Sequence, residues 1–171
     1  MENDAVWYET AFVTGATNGL LSLAESLVLP LPFAAAGGAR QPLVPLPADD
    51  ELDRGVLPIF ADINAYYGTT DVPAVYRYLA SDPGYLRDTW NTVQAAFADR
   101  VLRRKFKECI ALGVAVAARS PFGLDLHRTQ ALRLGVTEKG IREVVQTAQL
   151  FNTYTKIADV LQLEPDFPDV T

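Results

Sequence analysis

The stretch TGATNGLL (14–21) has nearly the glycine spacing of a loop that wraps a pyrophosphate. Such a loop needs a buried strand before it and a helix after it, whose N-terminal amides meet the phosphates. Here Leu21 stands where the last glycine belongs, and no βαβ unit follows. About 20 residues on, where an acidic ribose ligand would stand, the chain reads LPFAAAGGARQ. Tyr154 and Lys156 are too close together to form the Tyr-x-x-x-Lys pair of short-chain dehydrogenases. The stretch is therefore read as a turn feeding an N-terminal helix, with Thr17 or Asn18 capping LLSLAESL. Other reactive side chains are scarce. One cysteine, Cys109, excludes an internal disulfide, a multi-thiolate metal site and a two-cysteine redox cycle within one chain. One histidine, His127, excludes a histidine-based metal cluster within one chain. No cofactor and no metal are expected.

The composition sets wider bounds. The 171 residues are 49% hydrophobic and 21% charged, enough to bury a core in one domain with an arm. A net charge of −6 argues against nucleic acid or an anionic membrane as partner. The dense basic run RVLRRKFK (100–107) is read as a solvated helix face. The start MENDAVWYE is too acidic for a signal peptide. The apolar run 19–38 is broken by Glu25, Pro30 and Pro32, so no membrane span is expected. A soluble, cytoplasmic protein follows from these features.

The elements that must position any site read as all-α. Residues 5–29 carry apolar positions for one or two short helices. LPLPFAAAGGARQPLVPLP (29–47) is proline-rich and extended, separating an N-terminal arm (1–47) from a helical body (48–171). Helices are expected over 51–68 with Pro58 in the first turn, 71–80 with Asp71 as N-cap, and 81–99 with Asp82 before Pro83. Three more follow over 101–119, 120–135 and 136–163, with Ser120 and Thr137 as caps and Gly135 as a stop. The second half of 101–119 is apolar enough to be buried. The tail EPDFPDVT is expected to fray.

LPADDELDRGVLPIFADINAYYGTTDVPAVYRYLASDPGYLRDTW, with KECIALGVAVAARSPFGLDLHRTQALRLGVTEKGIREVVQTAQLFNTYTKIADVLQLEPD, resembles the alkylhydroperoxidase D-like, or carboxymuconolactone decarboxylase-like, superfamily. The resemblance runs over roughly residues 47–166 and implies a helical bundle. FNTYTKIADVL (151–161) is similar to the peroxidase-related branch. That branch carries a Glu and, twelve residues later, C-x-x-C-x-x-x-H. Here Glu108 and His127 fill the acid and imidazole places, while Ser120 and Gly123 stand in the two cysteine places. Peroxide reduction of this type needs a low-pKa thiolate and a resolving thiol. Cys109 adjoins Glu108, whose charge raises a thiol pKa, and it is read as a buried structural cysteine. Thiol peroxidase activity is not expected.

The resemblance leaves Glu108, His127 and Ser120 as site candidates. If the chain turns near 116–120, Glu108 and His127 lie very roughly 10–15 Å of rise from that turn on antiparallel helices and can face each other. A carboxylate beside imidazole fixes its tautomer and raises its basicity, as general bases require. Ser120, at a helix start, can donate a hydrogen bond or, activated, act as a nucleophile. A buried Glu–His pair can equally be structural. Asp125 points to another helix face than His127. Asn152 and Tyr154 are placed at a pocket or subunit contact. The implied function is acid–base chemistry on a small organic acid or lactone. VPAVYRYLASDPGYLRDTW (72–90) is also similar to group I 2-haloacid dehalogenases, whose aspartate-activated water makes hydrolytic dehalogenation an alternative. A third reading is a non-catalytic oligomeric scaffold or binding protein. A homo-oligomer (dimer, trimer or hexamer) is expected, with the proline-rich arm wrapping a neighbour.

Overall fold

Residues Glu2–Ser26 form one continuous helix, α1, in the computed structural model, which describes residues 2–33 and 40–163 and side chains from Asp4 onward. The expected turn at TGATNGLL is absent: the stretch is helix interior. Val13, Thr17, Leu20, Leu21 and Ala24 recur every three or four residues and are all buried. That apolar stripe outweighs the roughly 1 kcal/mol by which each glycine disfavours a helix. Thr17 and Asn18 therefore cap nothing.

After the connector, a short 3-10 turn (Arg54–Val56) leads into α2 (Leu57–Tyr67), with proline in its first turn and Gly68 left-handed at its end (φ 66°). α3 spans Ala74–Leu79 and α4 Pro83–Phe97. α5 (Arg104–Ala117), α6 (Pro121–Arg133) and α7 (Glu138–Leu161) complete the bundle. Among the described residues there are no strands, and no helix is long and apolar enough to cross a membrane. Asp82 caps α4 by accepting from the Gly84 and Tyr85 N–H groups, and Thr137 caps α7 by accepting from Gly140 N–H. Asp71 does not cap α3. Pro73 takes the N-cap place, so Asp71 stands two residues too early to reach the first free amides.

α5 is the central rod, packed by α1, α6 and α7. α1 shares one hydrophobic core with α2, α3, α4, α5 and α6. Tyr66, Tyr67, Tyr76 and Trp90 form an aromatic cluster between α2, α3 and α4, where the Tyr67 and Tyr76 hydroxyls meet at 2.8 Å. The arm does not stand away from its own body. Leu29 is fully buried, Leu31, Phe33 and Leu46 pack on the core, and Leu43 N–H donates to Leu27 C=O. Residues 34–39 of the arm and the tail 164–171 lie outside the described residues.

Two expectations for α5 need correction. Lys107 is not on a solvated face. Its ammonium is buried, donating to Ala98 C=O at 2.7 Å and pairing with Glu9 at 2.8 Å. The apolar second half of α5 is buried only to Ala115; Ala117 and Ala118 are exposed.

Candidate functional site

The site is built on the α5–α6 hairpin. The inner stripe of α5 is Lys107, Glu108, Ala111, Leu112 and Ala115. The chain reverses at Arg119, which is left-handed (φ 52°), and Ser120 then caps α6 by accepting from Gly123 N–H at 2.9 Å. Pro121 follows at the first helical position, where a missing N–H costs nothing. The inner stripe of α6 is Phe122, Gly123, Leu126, His127 and Gln130. The two antiparallel stripes bring Glu108 against His127, with Oε2 and Nδ1 2.9 Å apart.

Two further groups hold the pair. Arg104, one turn before Glu108, places its Nε 3.5 Å from Oε1. Its guanidinium lies 3.6 Å over the Tyr66 ring and reaches Gln130 Oε1 at 3.4 Å. Phe97, at the end of α4, stacks on the imidazole with centroids 5.9 Å apart and planes within 6°. Burial, the largest influence, pushes the Tyr66 phenol well above its ordinary pKa, and its hydroxyl has no partner among the described residues. His127 Nε2 is likewise buried without a partner among the described residues.

Ser120 is not part of this pair. It starts α6 two turns before His127, roughly 10 Å of rise away. Its hydroxyl donates to Glu25 Oε1 at 2.6 Å, and Phe122 N–H donates to the same oxygen at 2.9 Å. The other Glu25 oxygen pairs with Arg40 at 2.5 Å. Burial alone would raise the Glu25 carboxyl, but Arg40, Ser120 and the Phe122 amide outweigh it and hold the group below its usual range. Gly123 is closed in as well. A Cβ there would lie 2.6 Å from Leu21 Cδ1 and 2.9 Å from Ala115 Cβ. α1 thus covers both residues that stand in the cysteine places.

Two comparisons with known proteins bear on the fold. Residues 83–163 match the model of the Carboxymuconolactone decarboxylase family. The crystal structure of an alkylhydroperoxidase AhpD core from Rhodospirillum rubrum is 28% identical, covers 72% of this chain and 93% of that chain, and superposes with a TM-score of 0.63. The chain is AhpD-like in fold and sequence. Comparison with curated proteins gives no match.

In this AhpD-like protein the lone thiol is poorly placed for redox work. Cys109 is half-buried rather than fully buried, and burial first, then the Glu108 charge, pushes its thiol up. Among the described residues no group of three His, Cys, Asp or Glu side chains is set to hold a metal. The clearest groove, about 800 Å³, lies elsewhere, between the end of α5 and the far half of α7. Val116, Arg119, Asn152, Lys156, Ile157 and Val160 line it. Asn152 therefore borders a pocket, as expected, whereas Tyr154 is exposed and does not line it. Asp125 accepts from Phe33 N–H at 2.6 Å, consistent with a face other than that of His127.

Sequence reasoning missed Glu25, Arg104, Tyr66 and Phe97. Only Glu25 left a signal. It is the one acidic residue in the apolar run 19–38, and a single carboxylate in such a run calls for a buried partner.

Proposed function

We propose that this AhpD-like protein uses Glu108 and His127 as a general acid–base pair toward a small organic acid or lactone, without thiol chemistry. The 2.9 Å contact on Nδ1, combined with a partnerless Nε2, carries this reading. A carboxylate on Nδ1–H leaves Nε2 of a neutral ring as a bare acceptor. A purely structural buried histidine ordinarily bonds through both nitrogens. Arg104 anchors the second Glu108 oxygen, and Phe97 fixes the ring plane.

A second reading, a non-catalytic oligomeric binding protein, has its own observation. Neither of the two clearest surface pockets touches Glu108, Ser120 or His127. Solvent-deuterium incorporation at the α-carbon of small lactones and carboxylic acids separates the two, since it needs only proton transfer. Acid–base function gives exchange above the buffer rate that falls roughly 10²- to 10⁴-fold in His127→Ala and also falls in Glu108→Gln. Exchange at the buffer rate, or equal in all three proteins, leaves the binding-protein reading standing.

A further inference from the structure

Two buried polar atoms on α1 and α6 have no partner among the described residues: Thr17 Oγ1 and His127 Nε2. Thr17 is 2% exposed and His127 3%. The flanking contacts set their register. Glu25 of α1 meets Ser120 of α6, and Leu21 lies where a Gly123 side chain would stand, so α1 runs antiparallel to α6. One turn back from Leu21 is Thr17; one turn on from Gly123 is His127. α5 fits the same level. Glu9 meets Lys107, and Leu21 and Ala115 both close on Gly123, so α1 runs parallel to α5 and Thr17 comes level with Ala111, the turn after Glu108.

The Thr17 hydroxyl is also unusual in its own helix. Thr10, Thr92, Thr153 and Thr155 each donate to the backbone carbonyl four residues earlier. That bond is the ordinary local outlet for a helical threonine. Thr17 does not make it. A buried hydroxyl and a buried imidazole nitrogen left unpaired would each cost about 1–3 kcal/mol. One small molecule between them satisfies both.

We propose that Thr17 Oγ1 and His127 Nε2 hold one hydroxylic ligand between them, a water molecule in the resting protein. Thr17 is then a positioning residue for the molecule that meets the imidazole. With Nδ1–H donated to Glu108, Nε2 accepts the ligand O–H, and the Thr17 hydroxyl donates to the ligand oxygen. TGATNGLL, the interior of α1, thereby contributes Thr17 to the interior of the site. The consequence for turnover rests on the acid–base function proposed above; the binding geometry does not.

His127 is the only histidine, so ¹⁵N-histidine labelling of the full chain reports this one ring. Thr17→Val is expected to shift the Nε2 resonance, leave Nδ1 in place and lower the melting temperature, while Thr17→Ser keeps the wild-type Nε2 position. An Nε2 signal unmoved in Thr17→Val, or a raised melting temperature, as deletion of an unpaired hydroxyl gives, would overturn the proposal. Should Thr17→Val not fold, a high-resolution crystal structure of the wild type decides. A water within hydrogen-bond reach of both atoms supports the site; direct packing of the two side chains refutes it. Deuterium exchange at the buffer rate beside a Thr17-dependent Nε2 signal would remove the catalytic role and leave the ligand site.

Discussion

Leu21 and Gly123 fit each other closely enough that neither tolerates change alone. A methyl at 123 would press on both Leu21 Cδ atoms and on Ala115. Gly123→Ala is expected to cost about 1–3 kcal/mol, and Leu21→Ala about 2–5 kcal/mol. Urea denaturation of the double variant should show a loss smaller than the sum, since the trimmed leucine makes room; strict additivity would contradict the contact. Glu25 gives a pH signature at the same seam. Its carboxyl is depressed in the folded chain, so its stabilisation is present above the ordinary value of about 4.5 and is lost as pH falls through the lower folded value. The melting-temperature gap between wild type and Glu25→Gln should therefore be constant near neutral pH and shrink below about pH 4.5. A gap that widens on acidification would refute the assignment. The Glu108–His127 pairing was legible from spacing together with family resemblance. The commitment of Ser120 to Glu25 was not, because that partner is supplied by a helix far away in sequence.

At the scale of elements, α1 is clamped to α5 by a buried ammonium. Glu9 accepts from Lys107 and from the Val101 and Leu102 amides, and Lys107 first, with those amides, holds its carboxyl below the usual range. Lys107→Ala is expected to cost about 3 kcal/mol, the lower end for breaking a buried pair, because Glu9 keeps its amide partners. Chemical denaturation checks this; a change within about 0.5 kcal/mol, as at an ordinary surface lysine, would mean the clamp is dispensable. The elements themselves were largely readable. Ser120, Asp82 and Thr137 cap helices by short-range chemistry that a sequence displays. α1 was misread because its glycines suggested a turn, while the burial that overrides them comes from α4, α5 and α6. Lys107 was misread because it shares its stripe with Glu108, Ala111 and Ala115 but its type with a basic run.

For the whole molecule, the far half of α7 carries an exposed apolar face. Leu150, Phe151, Tyr154, Ile157, Val160 and Leu161 are all exposed on one helix. Contiguous apolar exposure of this kind marks a contact surface. The proposed occupant is a second copy of the chain. Lys156 and Asp159 both lie on α7, 3.6 Å apart, so an antiparallel pair of α7 helices can exchange these charges across a two-fold axis. Light scattering should show an oligomer for the wild type and a monomer for Phe151→Glu/Val160→Glu; a monomeric wild type, or an unchanged oligomer in the variant, would contradict this surface. The expected homo-oligomer drew on helix length and apolarity, which the sequence displays. That the arm segments 27–33 and 40–47 lie on their own body was not legible, because proline-rich segments declare an extended shape but not what they rest on.

The central claim is that a carboxylate orients one imidazole and leaves its far nitrogen as a free acceptor. The direct test is the ¹⁵N tautomer state of His127 in the neutral protein, compared with Glu108→Gln. The account predicts the Nδ1–H form in the wild type and a shift away from it when the carboxylate is neutralised. A wild-type ring protonated on Nε2 alone, or a tautomer indifferent to Glu108→Gln, would contradict it.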